Sequence, residues 1–251
     1  GHVNYAYGYA ATISGGQYNT ANGAYAFTGG GWYNHNLGTG SSIGGGWQNI
    51  VESKYSMIGG GTWNTIEADY GVVTGGHKNE IYAVGATVAG GMSQELVAPH
   101  SVSGGGTSHR PTAPATYIGG GYINSATKPY SVIGGGGTNK AYGVASCVAG
   151  GSINLATGNY TTIHGGQSHQ ATMSFASVRG GHANLATGFA STVSGGQYIT
   201  ASAAHGFVGG GWYIHNHGAG ATIGGGYTSN IYATAPYATI GGGYYHSVYE
   251  D

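Results

Sequence analysis

Two pairs of glutamates, Glu52 with Glu67 and Glu80 with Glu95, recur at an interval of 15 residues. If that interval is one turn of a stacked structure, the members of each pair sit about 5 Å apart. Carboxylates at that separation suit a retaining glycosidase or a hard cation. No Asp, His or Arg constellation accompanies them, and like charges on a wet face only repel weakly. They are read as solvated surface, and the chain as no enzyme. His215 and His217 project to one side of a strand, with His35 at the same point of the repeat, and such a pair can ligate metal. The 12 histidines lack Cys or Asp partners, so the reading is polar surface, with no metal and no cofactor. Cys147 is the single thiol. It permits no internal disulfide and reads as a packed residue at a chain contact. Asn159-Tyr160-Thr161 matches a glycosylation acceptor, a weak signal alone.

Aromatic rings are the stronger candidates. In the turn after a Gly-Gly pair they gather in two clusters: Tyr18, Trp32, Tyr33, Trp47 and Trp63, then Tyr198, Trp212, Tyr213, Tyr227, Tyr244 and Tyr245. Stacked into stripes beside Asn and His, flat rings can hold sugars. They can equally cover an edge or a neighbouring chain.

The elements that position these residues follow from one period. Gly-Gly pairs begin at residue 15 and at every fifteenth residue through 225; only Gly241 to Gly243 arrive two residues late, after a segment containing Pro236. Collagen needs Gly at every third residue and is excluded. The unit reads small-x-[Val/Ile]-x-Gly-Gly-x-x-Asn-x-Ala-x-Gly-x-Tyr. Spacings of two, as at Ser131 and Ile133 or Asn154 and Ala156, are strand spacings. The expected fold is an all-β solenoid, a β-roll of about sixteen 15-residue coils with two short strands each, forming one repeat domain over 1–251 with a two-residue insertion within 227–240. Val/Ile and mostly Ala columns fill the roll, Asn side chains form an amide ladder, and Gly135 and Gly150 turn the strand at a crowded corner.

The first strand is apolar or small on its outer side too. Phe27, Met57, Val72, Val102, Tyr117, Val132, Cys147 and Phe207 lie there, and such a face is expected against another copy of the chain. The outward side of the second strand carries Glu, Arg110, Lys140, His215 and His217 and meets water. With 6 Lys and Arg against 7 Asp and Glu, the net charge of −1 lacks the basic patch that nucleic-acid binding needs. No apolar run approaches the roughly 18 residues of a membrane span. The start of the chain has neither an initiator Met nor a signal peptide and reads as that of a mature product or fragment. Neither end shows a polar cap, and open sheet edges invite pairing.

The unit Ser-x-Val-x-Gly-Gly…Asn-x-Ala-x-Gly, clearest in "SCVAGGSINLATGNY" (146–160) and "SVRGGHANLATGFAS" (177–191), resembles the head repeats of YadA-like trimeric autotransporter adhesins. Similar repeats occur in bacteriophage tail fibres. The resemblance implies a trimeric β-roll on an extracellular fibre, acting in attachment. Segments 14–46 and 194–226 also match each other at an offset of 180 residues, or twelve coils. The resulting expectation is an adhesive fibre protein outside the cell, on its surface or on a virion. Its partners would be copies of itself, as homotrimer or filament, and surface glycans. A purely structural filament subunit is the alternative, and a glycan-degrading tailspike a more distant one.

Overall fold

The structure, a computed structural model, describes residues 3–249. It is an all-β solenoid of about sixteen coils. Among the described residues there is no helix, and so none long and apolar enough to cross a membrane. The chain divides into two units, residues 1–123 and 124–251. Strands are shorter than the sequence pattern suggested, two residues each, because a glycine or a left-handed turn interrupts every extended run.

Within each unit, equivalent residues pair in parallel one coil apart. In the first unit Thr12 pairs with Phe27 and Met57 with Val72 along the first-strand ladder, and Thr20 pairs with His35 along the second. In the second unit Val132 pairs with Cys147 and Leu155 with Gln170. Isolated bridges such as Trp32–Trp47 and Gln197–Trp212 add a third line of contact that the pattern did not reveal. The second-strand ladder of the first unit ends at Glu95–Leu96. One coil further on, Pro111 has no N–H to offer it. In the second unit, Thr222 pairs with Thr239 and Tyr227 with Tyr244, which accommodates the two-residue insertion around Pro236.

Each complete turn passes through left-handed backbone at three places, for example Gly61 (φ 93°), Trp63 (φ 59°) and Tyr70 (φ 60°). Two of the three accept side chains, at about 1–3 kcal/mol of strain each, because stacked neighbours over-determine the turn. The third does not. A Cβ on Gly61 would overlap the Gly76 carbonyl oxygen and lie 2.7 Å from Asn64 Nδ2. The preceding glycine differs: a Cβ on Gly60 or Gly150 meets nothing within 4 Å. The crowded corner expected at Gly150 therefore belongs to Gly151, whose Cβ would overlap Gly166 O.

The interior follows the predicted columns. In the second unit Ile133, Val148, Ile163 and Val178 share it with Ala141, Ala156, Ala171 and Ala186, all fully buried. In the first unit the same column carries Ala21, Asn36, Val51, Ile66, Ile81 and Leu96, the last four joining Ile43, Ile58, Val73 and Val88 in one cluster. Small neighbours make the space: a Cβ on Gly71 would lie 2.5 Å from Ile66 Cγ2. The amide ladder runs beside this core. Asn49 Nδ2 donates to Gly45 O (3.0 Å) and Gly61 O (2.9 Å), while its Oδ1 accepts the Asn64 backbone N–H at 3.1 Å.

Candidate surface-binding site

The coil repeat brings each predicted aromatic cluster together. Trp32 and Trp47 occupy the bridge position of successive coils, with Tyr18 and Tyr33 in the adjoining left-handed column. Tyr18 and Tyr33 stack at 4.8 Å and 11°, and Trp32 and Trp47 at 6.0 Å and 20°. Trp63 meets Trp47 edge-on at 71°. In the second unit Tyr198 stacks on Tyr213 at 4.9 Å, Tyr213 on Trp212 at 5.3 Å, and Tyr227 on Tyr244 at 4.9 Å. Tyr245 stands edge-on to Tyr244 at 4.4 Å. None of these rings is buried; Tyr227 is half-buried, and the others are exposed, from 38% for Tyr18 to 63% for Tyr244 and Tyr245.

The stacking changes what the stripes can do. Rings piled along the column direction cover one another's faces and turn their edges to solvent. A sugar needs a bare face, and a column offers one only where its stack ends.

A second stripe escaped the sequence reading. Tyr25, Tyr55, Tyr70, Tyr130, Tyr160, Phe175 and Tyr237 occupy the other left-handed column, all exposed. Tyr55 stacks on Tyr70 at 5.6 Å and Tyr160 on Phe175 at 5.3 Å. Its signal was present as the Tyr that closes the repeat unit, obscured where Gly40, Gly85 and Gly220 take the same place.

The expected chain-contact residues form one column on the outer side of the first strand in each unit. Phe27, Met57 and Tyr117 are exposed in the first and Phe207 in the second, with Val72, Val102, Val132 and Cys147 half-buried. Burial pushes the Cys147 thiol pKa up, which keeps it protonated and unreactive.

Glu80 and Glu95 are direct partners across coils. Glu95 pairs with Arg110 at 3.4 Å, and the Tyr82 hydroxyl donates to Glu80 at 3.2 Å. Desolvation and these carboxylates raise the Tyr82 pKa, so it remains a donor. His215 and His217 lie parallel at 6.0 Å, and His217 Nδ1 is 2.6 Å from Ser202 Oγ. Among the described residues, no group of three or more His, Cys, Asp or Glu side chains gathers where it could hold a metal ion.

Two histidines have entered the buried ladder. His169 accepts the Asn184 N–H at Nδ1 (3.1 Å), which fixes that nitrogen as unprotonated. Burial lowers the pKa of both His169 and His109. No protein-family model and no curated protein matches the chain.

Proposed function

We propose that the chain is a structural and adhesive fibre protein of an extracellular or virion surface, which assembles with copies of itself and attaches to a surface or glycan. The observation that carries this reading is the exposed ring clusters, stacked over successive coils of a scaffold whose backbone bonds run from each coil to the next. The outer column supports self-assembly, since its apolar and small residues, with Phe27, Met57 and Tyr117 exposed at intervals along it, leave a strand face without charged side chains of its own. The resemblance of the repeat to YadA-like heads and tail fibres agrees with both.

A purely structural filament subunit is the second reading, favoured by rings that cover each other rather than standing open. A glycan array separates the two. An adhesin binds saccharide and loses it on Trp32→Ala or Trp212→Ala with assembly intact, whereas a filament subunit is indifferent. Release of saccharide products, lost in Glu52→Gln or Glu67→Gln, would replace both with a depolymerase.

A further inference from the structure

In the second unit a groove of about 550 Å³ runs between the left-handed ring column and the outward side of the second strands. Its walls and floor include Ser168, Gln170, Ala183, Leu185, Tyr198 and Thr200. It exists because the ring column stops there. Tyr213 and Tyr198 stack, but the next coils place Ala183 and then Ser168 at the same left-handed position. No ring of that column covers Tyr198 on this side; His182, from the neighbouring column, meets it edge-on at 86°. A smaller hollow of about 190 Å³ continues the groove, sharing Ser168 and Gln170 and adding Lys140.

The lining selects a ligand chemistry. The larger groove contains no Asp, Glu, Lys or Arg, and its one titratable imidazole, His215, has its pKa lowered by burial. A charged ligand would find no counter-charge within the larger groove, and beyond it only Lys140, in the adjoining hollow. Strand addition by a peptide is closed off, because the floor's N–H groups are taken: Gln170 donates to Asn184 O (3.0 Å), Leu185 to Ile199 O (2.7 Å) and Thr200 to Ile214 O (2.8 Å). What remains is hydroxyl and amide groups alternating with leucine and a tyrosine ring. That alternation suits a molecule with apolar C–H faces and many hydroxyls, and a coil rise of about 4.8 Å is close to the length of one hexose.

We propose that this groove binds an uncharged linear oligosaccharide lying along the column direction, one sugar against Tyr198 and its hydroxyls on Ser168, Gln170 and Thr200. The inference rests on the adhesive reading and gives it a specific site.

The test titrates neutral β-1,4-linked glucose and N-acetylglucosamine oligosaccharides of increasing length into the full chain by calorimetry. Affinity is expected to rise with length until the groove is filled. Tyr198→Ala weakens binding about tenfold or more, the equivalent of one lost stacking contact. Ala183→Tyr abolishes it by extending the ring column across the groove. Tyrosine is already accepted at this left-handed position at Tyr198 and Tyr213, so an unchanged thermal midpoint separates blocking from misfolding. Binding that survives both substitutions overturns the groove and leaves attachment standing through the other rings. A wild-type chain that binds none of these saccharides overturns the groove, and one that binds no glycan or surface at all overturns the adhesive reading with it.

Discussion

The same buried column is built in two ways in two stretches of the chain. Over Asn19, Asn34, Asn49, Asn64 and Asn79 it is an unbroken amide ladder, each side chain bonded to glycine carbonyls of its own and the following coil. In the second unit Asn139 and Asn154 repeat that ladder, but over 169–214 the column reads His169, Asn184, Ile199 and Ile214, all buried. Asn184 Oδ1 still accepts the Ile199 N–H at 3.1 Å, but an isoleucine has nothing to give the next coil. The position thus needs its volume filled everywhere, and an amide satisfies polar backbone in addition. Unsatisfied buried polar groups cost about 1–3 kcal/mol each, so the stretch from Asn19 to Asn79 depends on its column more than the stretch from His169 to Ile214 does.

The comparison can be broken most severely at a glycine. Gly61→Ala drives a Cβ into Gly76 O and Asn64 Nδ2 at a left-handed φ, and should cost more than about 4 kcal/mol. Gly60→Ala, facing open space, should shift the denaturation midpoint little. Asn64→Leu removes the donor to Gly60 O and Gly76 O and the acceptor for the Asn79 N–H, for a loss of about 3 kcal/mol in chemical denaturation.

The histidines add a pH term. Their folded pKa values lie below the ordinary 6.5, so the unfolded chain takes up protons first and stability rises with pH through that window. Below about pH 6.5 the loss reaches at most about 1.4 kcal/mol per pH unit for each group. His109→Asn with His169→Asn should flatten that slope in melts recorded from pH 7 downward. Ile199→Asn is the mildest change. It exchanges apolar burial for carbonyl bonds and should stay within about 1 kcal/mol of wild type.

Much of this architecture was legible because the period is strict. The glycine pairs from Gly15 to Gly226 set the coil, and Asn at one fixed place in it announced the ladder. What stayed hidden depends on the neighbouring coil or on side-chain angles. Gly60 and Gly61 look alike in the sequence, and only the carbonyl of Gly76 distinguishes them. Left-handed backbone is uncommon for non-glycine residues, so nothing in their type marks Tyr55 or Trp63 as adopting it. Ring faces spent on stacking at Tyr18 and Tyr33 follow from rotamers. Seen instead from Ala183 and Ser168, where rings are missing, the same column acquires its groove.

Self-assembly through the first strand's outer column underlies the fibre account, and sedimentation of the purified chain with electron micrographs of the same sample tests it most directly. The account predicts particles of more than one copy, converted to monomer by Val132→Lys in the half-buried outer column. A monodisperse monomer for the wild-type chain would contradict it.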